Sequence, residues 1–307
     1  MKNGFTSKMG SIIIQTNNMA SILSVNVRNF TPSKISFVPG IAKNNRVPPI
    51  NMKYGDDEKS KTSFQILLPQ APVRLLTRTD DQTGETSYTL SYTLTGCDNY
   101  GRERGDDSTE MGKLYNSLMD LEELVVKAAV ENSGKWFGKK RSEEGIRESF
   151  KKIVRVSSDK IDGEMVPNGK YPPSWWIKVP VYDGKVSIDK EGIVDNRGNP
   201  VYVTPDSLQS VFPNNGQAKL AVVGNVYVMA GGGFGVTWKL RAAQVFPTSR
   251  VKASDLFGVS EETPQTSEVV EKEAEASQDG YESPTPSPAP APAPSAPARK
   301  KRAPAGQ

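Results

Sequence analysis

The sequence predicts a mostly β fold with one long helix, and three observations carry that prediction. Tyr88, Leu90, Tyr92 and Leu94 alternate with Thr89, Ser91, Thr93 and Thr95, the period of a half-buried strand. Ala218 to Phe246, AKLAVVGNVYVMAGGGFGVTWKLRAAQVF, reads as two strands around a glycine-rich turn. A single long stretch, starting near Asp107, repeats its apolar residues at helical spacing.

Composition bounds the answer. The chain has 307 residues. Residues 259–307 are too poor in apolar side chains to pack, which leaves 1–258 as the folded body. No apolar run is long enough to span a bilayer, and the N-terminus lacks the continuous apolar core of a secretory signal. The single cysteine, Cys97, excludes an internal disulfide and suggests an intracellular, reducing compartment. The chain has no histidine, which removes Ser-His-Asp and Cys-His catalysis and His-ligated metals. No cofactor is expected. The net charge is +4 and unevenly spread. Residues 259–298 carry eight acids against Lys272 alone, a net of −7, while 1–258 carry +7. A basic body with an acidic arm suggests a polyanionic partner.

Taken in order, Ser11–Gln15, Ile22–Val27 and Ile35–Val38 read as short strands. Asn44–Ser60 is polar with paired prolines and reads as a loop. Ser63–Leu68 and Val73–Arg78 are strands, Asp80–Glu85 is a turn, and the alternating segment follows. The helix is capped by Asp107, Ser108 or Thr109. It repeats Leu114, Leu118, Leu121, Val125 and Ala128 and ends at Asn132-Ser133-Gly134, covering an end or face of the sheet. Ser142 caps a short basic helix whose Ile146, Phe150 and Ile153 face inward. Lys170–Val181, KYPPSWWIKVPV, is a strand in which one of Trp175 and Trp176 is core and the other faces solvent. Val186–Ile188 and Val201–Val203 flank the turn DNRGNP. In the closing strand Phe234, Val236, Trp238, Leu240 and Ala242 point one way, with Thr237, Lys239 and Arg241 opposite. Beyond Val259 an acidic segment leads to a Pro/Ala linker and the basic end RKKR at 299–302, which reads as an import signal, a nucleic-acid contact or neither.

The segment Gly134–Arg155 interleaves cations with rings. Lys135, Lys139, Lys140, Arg141, Arg147, Lys151, Lys152 and Arg155 surround Trp136, Phe137 and Phe150. Binders of single strands need cations to track phosphates and ring faces on which unpaired bases stack. The bland alternative is a solvated basic helix with its rings in the core. Trp175 or Trp176 beside Lys178, and Lys239 with Arg241, repeat the signal. The glycines 231–233 lack the GK[ST] ending of a phosphate loop. Asp56-Asp57, Asp80-Asp81 and Asp106-Asp107 lie in turns, where solvated or capping acids are the default over metal ligands. Cys97 is expected to be a small core residue.

The order of parts is similar to a known group: a β-rich body with one helix, the segment WFGKK, the strand YPPSWWIKVP, and the ending GGFGVTWKLRAAQVF before an acidic tail. It resembles the single-stranded-DNA-binding proteins of large eukaryotic DNA viruses, and through them the phage T7 single-stranded-DNA-binding protein. The resemblance covers about residues 60–260 in layout. It implies an OB-fold-like closed barrel with extra N-terminal strands, and sequence-tolerant binding of single-stranded DNA in replication, recombination or repair. It also implies replication proteins as partners of the acidic tail, self-association, and residence in the host nucleus or a cytoplasmic viral replication site. The tail departs from the phage pattern, which stays acidic to a terminal aromatic. The expected stacking rings are Trp136, Phe137 and one of Trp175 and Trp176. Lys135, Lys139, Lys140, Arg141, Lys178, Lys239 and Arg241 are the expected phosphate contacts. The alternatives are a virion-associated interaction protein with a basic face, and a Mg²⁺-dependent nuclease using the acidic pairs.

Overall fold

The computed structural model describes residues 22–41, 48–57, 59–189, 191–214 and 216–246. The expected strand Ser11–Gln15 and the tail from 259 onward lie outside the described residues. The first strands are β1 (Leu23–Asn26), β2 (Ile35–Pro39), β3 (Ile50–Tyr54), β4 (Phe64–Leu67), β5 (Ala71–Thr79) and β6 (Thr86–Thr93). Helices α1 (Glu110–Glu131), α2 (Ser133–Phe137) and α3 (Glu143–Ser149) follow. Next come β7 (Phe150–Lys151), β8 (Val154–Arg155), β9 (Ser158–Ile161), β10 (Glu164–Pro167), β11 (Ser174–Val179), β12 (Val181–Tyr182), β13 (Lys185–Val186) and β14 (Ile193–Val194). The short helix α4 (Leu208–Val211) precedes the long strands β15 (Gly216–Val228) and β16 (Phe234–Phe246).

The two long strands organise the sheet. They pair with each other antiparallel, and each carries three short partners along its other edge. On β15 these are β5 at Gly216–Ala218, β4 at Ala221–Val222 and β3 at Asn225–Val226. On β16 they are β7 at Phe234–Gly235, β11 at Lys239 and β14 at Ala243–Gln244, all parallel. Because β5 pairs with β6 and β6 with β11, the pairings return on themselves: β5–β6–β11–β16–β15–β5. This five-strand ring matches the OB-like architecture expected from the sequence.

Alternation decides what fills the ring. Leu90, Tyr92, Trp175, Ile177, Val222, Trp238 and Leu240 are buried. Trp175 and Trp238 meet edge to face at 4.8 Å, with Tyr92 against Trp175 at 6.5 Å. Gly224 makes room for this: a Cβ there would stand 2.7 Å from the Trp238 ring. Helix α1 packs its Leu114, Leu118, Leu121 and Val125 against the 3₁₀ turns at 27–34, α3 and β8. Thr109 is its N-cap, with Oγ1 accepting from the Gly112 amide at 2.9 Å. Cys97 is buried and its thiol is pushed up to about 11, so it is a packing residue.

Four expectations need correction. The helix capped by Ser142 is not basic: α3 holds three glutamates and one arginine and ends before Phe150, and Lys151 and Arg155 lie beyond it on β7 and β8. The stretch 44–60 is not all loop: Ile50, Met52 and Tyr54 alternate inward as β3, a pattern hidden by polar partners and flanking prolines. Val201–Val203 forms no strand. Only the Val201 amide reaches back, to the Ile193 carbonyl at 2.8 Å, and Tyr202 is exposed. The alternation of β16 also breaks. Ala221 pairs with Ala242 and Val222 with Leu240, so Arg241 is an extra, bulged residue. Past it Ala243, not Ala242, is the buried one.

Candidate nucleic-acid interface

The outer face of the ring is built by the same alternation, read on its other parity. Across β5, β6 and β11, Arg74 stands opposite Ser91 and Ser91 opposite Trp176; Leu76, Thr89 and Lys178 form the next row, and Lys178 pairs with Lys239 of β16. Arg78 and Ser87 lie beyond. On β15 the outward positions beside β16 are Val223, Asn225 and Tyr227. None of these strand positions carries an acid. Like charges directly opposite one another destabilise a sheet, and Lys178 and Lys239 are such a pair. An anion lying over them would relieve the repulsion.

Trp176 is the ring on this face. It is 42% exposed, whereas Trp175 next to it is fully buried. The Arg155 guanidinium lies 3.9 Å from the Trp176 ring centre. β8 places it there, because Arg155 pairs with Ser174, diagonally next to Trp176. Arg155 as a whole is exposed, but its guanidinium end is desolvated against the ring, which lowers its pKa; the nearby Tyr227 phenol works the other way. Position and shape of β8 are set from beneath by Glu122 of α1. Its carboxylate accepts from the Ile153 amide at 2.6 Å and the Val154 amide at 2.9 Å. Burial raises the Glu122 pKa, against those two hydrogen bonds.

The segment 135–141 stands at the β15–β16 tip and divides in two. Lys135, Lys139 and Lys140 are exposed, and none has an ion-pair partner among the described residues. Its rings are core. Trp136 is 6% exposed with its edge against Phe37, and Phe137 packs between Phe234 at 5.3 Å and the Arg141 guanidinium at 4.9 Å. Arg141 is a latch: its guanidinium donates to the Gly232 carbonyl at 2.7 Å and the Gly145 carbonyl at 3.2 Å, and its amide to Ser133 Oγ at 2.7 Å. Gly232 supplies the positive φ of that tip, at 85°. Arg241 stands at the bulge, and its guanidinium lies 3.7 Å from the Asp189 carboxylate.

The structure thus brings Trp176, Lys178 and Lys239 together, with Lys135, Lys139 and Lys140 at one end. It adds Arg74, Arg78 and Tyr227, which sequence reading had not placed at a site, and of the later cations of segment 134–155 it brings Arg155 to the face. Arg74 and Arg78 share a parity on β5, so their outward direction was readable; their neighbours were not. The acidic pairs are turn acids. Asp56 pairs with Lys34, Asp80 accepts from the amides of Gln82 and Thr83, and Asp106 accepts from Ser108. Among the described residues no group of three or more Cys, Asp or Glu is placed to hold a metal.

No protein-family model matches the chain, and no curated protein matches it. Two solved structures are similar in part. One is gp2.5, a single-stranded-DNA-binding protein encoded by bacteriophage T7, with 11% identity and a TM-score of 0.37 over 66% of this chain and 98% of that one. The other is a single-stranded-DNA-binding protein from bacteriophage Enc34, with 9% identity and a TM-score of 0.32 over 72% and 99%. Both are phage proteins, so neither bears on a eukaryotic-virus origin. At these scores the likeness carries no weight for function, and the interface stands on its own side chains.

Proposed function

We propose that the chain is a sequence-tolerant single-stranded-DNA-binding protein whose contact surface is the outer face of β6 and β11. The observation that carries this is one patch whose strand positions hold no acid, with an exposed tryptophan backed by Arg155 and the facing lysines 178 and 239. Phosphates need the cations. An exposed ring face serves a base only when that base is unpaired, which favours single strands over duplex. In the five-strand ring, β6 and β11 are second and third in chain order. Turn 80–85 joins the first two strands and turn 229–233 the last two. These are the positions that OB folds use for oligonucleotides. The reading supports a non-catalytic role at sites of replication, recombination or repair inside the cell. The acidic tail is our candidate for recruiting replication proteins.

Intrinsic fluorescence tests it. Trp136, Trp175 and Trp238 are buried, so quenching by DNA should report Trp176 alone. Oligo-dT should quench strongly, a matched duplex weakly, and salt should reverse both. Equal response to duplex and single strand would favour a structural, charge-only role. DNA breakdown on adding Mg²⁺ would favour the nuclease.

A further inference from the structure

We propose that Tyr182 is a second base-stacking platform and that the cleft around it takes one nucleotide of the strand that crosses Trp176. This rests on the reading of the outer face given above. Tyr182 is 55% exposed, and its hydroxyl accepts from Lys239 Nζ at 2.8 Å. The same ammonium lies 5.6 Å from the ring centre. The local sequence explains the placement. Pro180 ends β11, and Val181-Tyr182 pairs with Lys185-Val186 around Asp183-Gly184, whose φ values of 50° and 68° suit a two-residue type I′ turn. The turn holds Tyr182 out from the sheet, with Lys185 directly opposite it.

The cleft beneath has a volume of about 610 Å³ and is lined by Arg78, Lys178, Thr237, Lys239 and Tyr182 among others. Three cations and the exposed Tyr182 ring, with half-buried Tyr88 also on the lining, match a phosphate and an attached base. Asp80 and Glu85 stand on its rim in turn 80–85, and the Asp80 carboxylate is turned onto its own loop amides. Trp176 and Tyr182 therefore bracket the Lys178–Lys239 row. Tyr182 lies six positions beyond Trp176, which keeps their Cα atoms within about 22 Å of each other. One single strand running along β11 reaches both.

The test is affinity of the full chain for oligo-dT of roughly four to sixteen nucleotides, for wild type, Tyr182→Ala, Tyr182→Phe and Trp176→Ala. Tyr182→Ala should weaken binding about tenfold for oligos long enough to span both rings and leave the shortest unchanged. Tyr182→Phe, which keeps the ring, should stay close to wild type. Unchanged thermal melting of both Tyr182 variants would show that the exposed turn is intact. Wild-type affinity of Tyr182→Ala at every length, with Trp176→Ala weakened, overturns the second platform alone. An equal loss at all lengths also overturns it, since it would mark general support of the face. Absence of binding by the wild type overturns both readings.

Discussion

At the scale of the residue, Trp176 and Arg155 form the central pair. Arginine covers one face of the indole at 3.9 Å, so a base has the other. Trp176→Ala should lower affinity for oligo-dT about tenfold and abolish the quenching signal, measured in one titration. Arg155→Ala should cost affinity by about fivefold or more, and Arg155→Lys should not restore it, because an ammonium does not lie flat on a ring. Trp136→Phe is the contrasting substitution. It should lower the melting temperature, through its buried contact with Phe37, and leave the affinity unchanged. Neighbours of identical type thus separate cleanly: Trp175 and Trp176 differ by one position and a half-turn of the strand. That separation was legible in the sequence, since period-two alternation allows only one of the pair inside.

At the scale of the element, the short strand β8 depends on α1. Burial gives the Glu122 carboxyl a raised folded-state pKa. Such a group holds its proton more tightly when folded, so its contribution to stability is greatest in acid and is lost as pH rises from the ordinary carboxylate range through the raised value. Glu122→Gln keeps an acceptor for the Ile153 and Val154 amides without the charge. Its melting temperature should therefore gain on wild type as pH goes from acid to neutral. The Arg141 latch is the other element-scale device. Arg141→Ala should destabilise by about 1–3 kcal/mol in denaturant unfolding, since it orphans the Gly232 and Gly145 carbonyls. What sequence could not supply belongs to this scale. The bulge at Arg241 has no local signature, and neither has the contact of this expected phosphate ligand with Asp189. The segment 135–155 offered cations and rings in one run, but Phe37 and Phe234, remote in sequence, claim the rings Trp136 and Phe137. The long strands were readable, but polar residues masked β3, and β7, β8, β9, β10 and β14 are too short to show an alternation.

At the scale of the whole molecule, charge sets the behaviour. Arg74, Arg78, Arg155, Lys178 and Lys239 share the face with no strand acid among them. If each neutralises a phosphate, the plot of log affinity against log salt should fall with a slope of about −3 to −4. A slope near zero would contradict the interface. The arrangement of the long hairpin has a consequence for biosynthesis. Ala71 finds its partner only in Ala218, and Lys178, already paired with Thr89 on one side, finds Lys239 on the other only when β16 is made. While the ribosome is still adding residues at ~5–20 per second, the β5–β6–β11 portion has open edges on both sides and nothing to cover them. Such non-local pairing makes folding slow, and bare edges invite association with other nascent chains. A chain stopped before Gly216 should therefore accumulate as aggregate, and holdase chaperones should be found on the translating polypeptide until Phe246 has emerged.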